Sequence, residues 1–368
     1  MLTATPIVLA AAALGLGVLV GNLLYRGDFC MVAMWRDFFL FRQTTLLRIF
    51  VLYVLVAAFL FNLGVASGWL LYPPPNLHAA SLTTIGGGLI FGIGMVLAGG
   101  CVLGTLYKMA AGNLTNGIAF IGILLGSLLY AEIHPQVSAV VAWTTLTTQV
   151  TLAENDPMLR GLLLAAILLG GGILVGRWWQ RGELQVVAYA EGYLQPWKVV
   201  LGLALLNFFY YALTGTPMGV TTAYAKLAGY LASWWWPEHV ASLAYFNTES
   251  ISWRQGEVII SGGAGPQLDY IAYSEGALVG GIFLGALATA CYYREFRIYG
   301  LPPRRQAVFA LLGGVLLALG ARVAGGCNVK FFLGGLPLLA WQGIYFTLAA
   351  VVGCYLGSEI LRRYIIPG

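Results

Sequence analysis

Gly87-Gly-Leu-Ile-Phe-Gly-Ile-Gly-Met-Val-Leu-Ala-Gly-Gly-Cys101 comes back 226 residues later (327 − 101 = 226) as Gly313-Gly-Val-Leu-Leu-Ala-Leu-Gly-Ala-Arg-Val-Ala-Gly-Gly-Cys327. Gly87, Gly88, Gly94, Ala98, Gly99, Gly100 and Cys101 match Gly313, Gly314, Gly320, Ala324, Gly325, Gly326 and Cys327. An apolar, glycine-rich segment present once in each half of a chain points to a transporter of two related halves with a site between them. Each copy ends on a thiol preceded by two residues without side chains. Backbone can approach another group closely there.

The rest of the composition agrees. Of 368 residues, 60% are hydrophobic and 9% charged, with a mean hydropathy of +0.83. A soluble domain carries roughly a quarter charged residues, so this chain could not cover a water-facing surface. Its apolar runs are continuous and about 17–25 residues long, the length that crosses a bilayer as a helix rather than as a barrel strand. The fold class expected is therefore an all-α polytopic membrane protein. The 49 glycines fit close helix packing and broken, re-entrant segments. Five cysteines without a C-x-x-C, and three histidines, argue against a zinc site or a disulfide scaffold.

Taken in order, Met1 to Leu24 lacks a basic n-region and reads as a retained first span. A loop follows with Arg26, Arg36, Arg42 and Arg48. The positive-inside rule makes it cytoplasmic and the N-terminus external. Leu46–Leu71, Ile85–Gly104, Leu114–Tyr130 and Leu159–Val175 read as spans, and Val137–Leu152 as a partial one. Residues 181–198 read as a cytoplasmic linker between a first repeat, 1–180, and a second, 199–368. Val199–Leu213 then starts from inside and leads to Thr214-Gly-Thr-Pro-Met-Gly219, which occupies the place of the Arg26–Cys30 loop. An outer insertion at about 214–269, with Trp234-Trp-Trp-Pro237, is too polar to cross. Leu278–Tyr292, Ala307–Gly326 and Trp341–Leu361 complete about nine crossings, with the C-terminus inside. Opposite entry directions make the repeats inverted.

Cys101 and Cys327 are the first candidates for chemistry. A buried cysteine is often only a small apolar side chain, and Cys291 and Cys354, in plain apolar helices, keep that reading. The duplicated pair is harder to dismiss. Gly99-Gly100 and Gly325-Gly326 let the backbone turn so that a helix can begin at each thiol. Its unpaired amides then attract an anion. Arg322, Lys108 and Lys330 are charges at membrane depth, which by default mark a substrate or ion path. Cations beside thiols suit a small, soft anion. Arg36 and Asp37 read equally well as a structural ion pair. His78, His134 and His239 fall in expected loops, away from the thiols, so a thiol enzyme lacks an obvious base. The glycine-rich stretches lack the Lys-Ser/Thr of a phosphate loop, and nothing indicates an enzyme, a cofactor, a metal or a nucleic-acid partner.

At these residues the sequence resembles the YeeE/YedE family of sulfur-compound membrane transporters. The likeness rests on Arg26-Gly-Asp-Phe-Cys30 with Arg36-Asp37, on Phe91 to Cys101 with Gly104-Thr-Leu-Tyr-Lys108, on Arg294-Glu-Phe-Arg297, and on Gly320 to Cys327 with Trp341-Gln-Gly343. It implies an hourglass-like inverted-repeat fold in the inner membrane. It also implies import of thiosulfate past the thiols of Cys30, Cys101 and Cys327 at a narrow waist, and a small cytoplasmic sulfurtransferase as partner beside the membrane lipid. The segment Asn328-Val-Lys-Phe-Phe-Leu-Gly-Gly-Leu-Pro337 departs from the small residues of the thiosulfate branch. It is more similar to the YedE branch, associated with selenium, which leaves selenium-compound transport as an alternative. A membrane-embedded persulfide sulfurtransferase is the other. Gly99, Gly100, Gly325, Gly326, Arg26, Lys108, Arg322, Asn328 and Lys330 complete the expected site around the three cysteines.

Overall fold

A computed structural model describes residues 6–186, 192–255, 258–298 and 300–364. The first half contains α1 (Pro6–Gly27), α2 (Met31–Phe41), α3 (Thr45–Ala66), α4 (Leu82–Leu97), α5 (Val102–Ala110) and α6 (Leu114–Trp143). A peripheral helix, α7 (Pro157–Gln180), separates it from α8 (Pro196–Thr214) and α9 (Thr221–Ser233). The short α10 (Pro237–Ser242) and α11 (Ala244–Asn247) lead into an antiparallel hairpin, β1 (Glu249–Gln255) and β2 (Val258–Gly263). A π-helical turn, Ala272–Gly276, opens α12 (Ala277–Tyr292). Then come α13 (Arg304–Val323), a π-helical segment Val329–Gly335, and α14 (Trp341–Tyr364). Among the described residues, nine helical segments are long and apolar enough to cross a membrane. The chain is an all-α polytopic membrane protein.

Glycine seams hold the helices together. In lipid there is little hydrophobic drive between helices, so close backbone approach through small residues replaces it. α1 meets α12 through Gly17 and Gly21 against Gly281 and Gly285, and α4 meets α14 through Gly88 and Gly92 against Gly353. The duplicated segments meet each other: Gly87 and Gly94 of α4 face Gly320 and Gly313 of α13. A Cβ at Gly314 would collide with the Ala119 carbonyl of α6. Side chains here would push the seams apart, and overpacking of this kind costs about 1–3 kcal/mol per site. The repeated glycines therefore build the scaffold before they serve any chemistry.

Several expectations are corrected. Val137–Leu152 is not a partial span, because α6 continues unbroken past Pro135 to Trp143 and the chain beyond it is irregular. Proline inside a helix is better tolerated in a membrane than in water, and α6 keeps Pro135 in its interior. The glycine-cysteine segments fall in two candidate crossings, Leu82–Ala110 and Arg304–Val323, and each helix stops short of its Gly-Gly pair. Ile85–Gly104 breaks after Leu97, and Ala307–Gly326 is helical only to Val323. His134 lies in α6 and His239 in α10, so only His78 is in a loop. The arginine-rich loop after α1 contains an 11-residue helix, α2. Arg36 and Asp37 do form an ion pair, 2.8 Å apart. Part of the expected linker, 187–191, lies outside the described residues.

Candidate functional site

Short helices begin where long ones break. α4 ends at Leu97, Gly99 turns with φ of +69°, and α5 starts with Cys101 as its N-cap. In the second copy α13 ends at Val323, Gly325 turns with φ of +77°, and Cys327 precedes the π-helical segment. This left-handed backbone crowds a Cβ, which is why both positions are glycine. α1 breaks likewise, and Cys30 is the N-cap of α2. Cys30, Cys101 and Cys327 are each at most 2% exposed.

Cys30 and Cys101 meet directly. Their thiols lie within interaction distance of each other, and the Gly104 amide donates to Cys101 Sγ at 3.2 Å. The sulfur thus caps α5 as a serine oxygen would, while its S–H stays available as a weak donor. A Cβ at Gly104 would lie 2.9 Å from Cys30 Sγ and 3.4 Å from Cys101 Sγ. The absence of that one carbon keeps the space in front of both sulfurs open. From the second half comes Asn328, fully buried. Its Nδ2 donates to Met31 Sδ at 3.0 Å, and its Oδ1 has no partner. A strong donor spent on a thioether leaves a group ready to turn toward a better acceptor.

Charge brackets the thiols on two sides. On the arginine-rich side, Lys108 pairs with Asp28 at 3.4 Å, and Tyr107 donates to the same carboxylate at 2.9 Å. Cys30, Asp28, Gly99 and Lys108 line a cavity of about 800 Å³ that also reaches Arg36, Asp37 and Gln43. Arg26 does not reach the thiols. Its Nε donates to the Gly192 carbonyl at 2.8 Å, beside a smaller cavity of about 290 Å³ shared with Tyr193 and Tyr293. Gly100 packs against Thr105 and Asn116.

On the hairpin side, Arg322 donates to the Tyr245 hydroxyl at 2.9 Å and to the Thr221 hydroxyl. Thr221 in turn lies against Cys327. Lys330 donates to the Gly325 carbonyl at 2.7 Å, and its stem covers Gly326. Tyr224 bonds the Val102 carbonyl at 3.0 Å and lies within electrostatic reach of both Cys101 and Cys327. His78, bonded through its amide to Gln342 at 3.0 Å, sits near Lys330. Burial first, and Lys330 second, pull its imidazole down to about 4, so it is neutral at physiological pH.

The sequence pattern of the sulphur transport family matches this chain over residues 26–356. The chain belongs to that family. It is 28% identical over 354 residues to the thiosulfate transporter TsuA of Spirochaeta thermophila, covering 94% of this chain and 97% of that protein. To TsuA of Escherichia coli it is 26% identical over 353 residues, covering 95% and 94%. The probable transporter YedE of E. coli is 26% identical over 175 residues, 47% of this chain and 39% of that protein. The resemblance read from the motifs is therefore a family membership.

The structure thus gathers Cys30, Cys101 and Asn328 at one point, with Lys108 on one side and Cys327, Arg322 and Lys330 on the other. Arg26 stands apart. Sequence reasoning missed Gly104 as the floor beneath two thiols, Met31 as Asn328's partner, and Thr221 between Arg322 and Cys327. A signal for Thr221 existed. Matching α1 to α8 at an offset of 190 (196 − 6 = 190) aligns Pro6 with Pro196 and Cys30 with Val220. Thr221 then falls on Met31, the first residue after the break.

Proposed function

We propose that this chain imports thiosulfate, or a similar small sulfur anion, across the inner membrane by passing it from Cys327 to Cys101 and Cys30. The observation that carries the reading is the contact of two buried thiols, each at a helix N-terminus, at the end of a cavity that also holds Lys108. Helix N-termini and lysine attract an anion, whereas S–H groups hold it weakly enough to let it leave. Sulfur meets sulfur along the way, so a soft anion sheds water at a lower cost than a hard one. The relatives named as thiosulfate transporters support the substrate class.

In this reading residues 1–180 and 199–368 are inverted repeats joined by 181–198, with the N-terminus outside and the C-terminus in the cytoplasm. The Arg26–Arg48 and Arg294–Arg305 segments then face the cytoplasm, where a small sulfurtransferase would receive the anion. Labelling with an impermeant maleimide tests the orientation. Exposed Cys291 is first replaced by alanine, and Gln43→Cys or Ser242→Cys is added. In sealed cells position 242 labels and position 43 does not; labelling of 43 from outside overturns the assignment. The function itself is tested by growth. A host stripped of its own uptake systems should grow on thiosulfate as sole sulfur source when this chain is expressed. Failure there, with growth restored by another sulfur or selenium compound, replaces thiosulfate as the substrate.

A further inference from the structure

The two halves are not alike at their first break. Val220 holds the place of Cys30 and Gly219 that of Phe29 (220 − 30 = 190 and 219 − 29 = 190), so the second half has no thiol in front of α9. A carboxyl group fills that space. Glu275, from the π-helical turn Ala272–Gly276, is 7% exposed, and its Oε2 has no hydrogen-bond partner. The Thr222 hydroxyl and the Ala223 amide, in the first turn of α9, lie against it. A Cβ at Gly219 would collide with Oε1 and stand 2.9 Å from Cδ. Glycine at 219 therefore makes the room, and the widened π turn places the side chain in it. A buried, half-satisfied carboxylate is costly and is kept in a membrane interior only where it acts.

Its surroundings say how it acts. Arg322 faces it from the end of α13 and Lys330 from the segment after Cys327. Lys226 and Tyr224 face it from α9, Tyr210 from α8, and Tyr270 from just before its own turn. α1 also packs on the turn and brings no titratable group before Tyr25. Lys226 is already paired with Asp269 at 3.0 Å, and His78 is neutral. The charge that remains is Arg322 and Lys330 against Glu275. Ionised, the carboxylate leaves this side at 2 − 1 = +1; protonated, it leaves +2. A divalent sulfur anion is matched only in the second state. Moving such an anion into a negative cytoplasm is also uphill, and each proton that travels with it cancels one of its two charges.

Building on the import reading above, we propose that Glu275 binds a proton from the outer side as the anion arrives and releases it inward, so that uptake is anion–proton symport. Purified protein reconstituted in liposomes, with labelled thiosulfate and a trapped pH dye, tests this. With acid outside and neutral buffer inside, the parent should accumulate thiosulfate several-fold above the level without a gradient. Adding thiosulfate should acidify the lumen, and a protonophore should abolish accumulation. Glu275→Gln, a permanent likeness of the protonated state, should still exchange internal for external thiosulfate but lose stimulation by the gradient. Should Glu275→Gln fail to insert, the parent's proton entry alone decides: thiosulfate uptake without acidification overturns the proposal. So does a Glu275→Gln response to the gradient equal to the parent's. A parent that exchanges no thiosulfate at all overturns the substrate reading, and this proposal with it; exchange without proton entry overturns the proposal alone.

Discussion

Cys101→Ala and Cys327→Ala should each reduce uptake at least about tenfold, a rise of about 1.4 kcal/mol in the limiting barrier, while the protein still inserts and folds. Alanine removes one buried sulfur and leaves a space too small to disturb the glycine seams. It deletes the S–H donor on one side of the waist or the other. At Cys101 it also frees the Gly104 amide that the sulfur accepts from. Uptake of labelled thiosulfate, normalised to the amount of each variant in the membrane, measures the effect. Cys291→Ala and Cys354→Ala serve as controls and stay near the parent rate, because each lies in a plain helix face away from the other thiols. Cys30→Ala falls between, since Cys30 already borders the arginine-side cavity. If both Cys101→Ala and Cys327→Ala transport at the parent rate, the thiols only pack.

The second large effect needs no cysteine removed. Gly104→Ala places a methyl group 2.9 Å from Cys30 Sγ, inside the space an anion must occupy to touch both sulfurs. Alanine is the better helix former within α5 by about 1 kcal/mol. That gain offsets part of the cost of displacing Cys30, so the variant should still fold and insert, yet transport at least about tenfold more slowly. Gly117→Ala, where an added Cβ meets only Met109 at 3.9 Å, controls for helix composition. Thermal unfolding in detergent beside the uptake assay separates the two effects. Parent-level uptake by Gly104→Ala would show that the anion does not pass over the thiol pair.

What could be read ahead of the structure depended on how local each signal was. The membrane class and most crossings follow from continuous apolar runs, and the duplicated Gly-Gly-Cys is visible because its seven matching residues lie within 15 positions. Helix breaks inside those runs are not visible as changes in hydropathy. Ile85–Gly104 is apolar throughout, and only the left-handed turn at Gly99 divides it. The same blindness hid α9, whose Tyr224, Ala225 and Ala228 are buried within a stretch that reads as a polar outer insertion. Contacts between distant residues were harder still. Asn328 meets Met31 across 297 positions, and no spacing rule reaches that far. Glu275 faces Arg322 and Lys330 only because the second half folds back on itself. His134 lies beyond the apolar run Leu114–Tyr130, yet α6 carries on through it and Pro135 to Trp143.

Among the described residues, α7 is the one long helix with no buried residue of its own, and that plainness has a topological meaning. Four candidate crossings among the described residues precede it (Pro6–Phe41, Thr45–Ala66, Leu82–Ala110, Leu114–Trp143), and four follow it. A unit with an even number of crossings returns the chain to the side where it started. Two such units joined directly would point the same way, and their thiols would sit at different depths. A single extra crossing changes the parity. On the inverted-repeat reading proposed above, α7 can be any apolar rod of the right length, but its deletion would leave the second unit upright instead of upside down. On that reading, mirror-related thiols facing one another across the waist would depend on a helix that touches none of them.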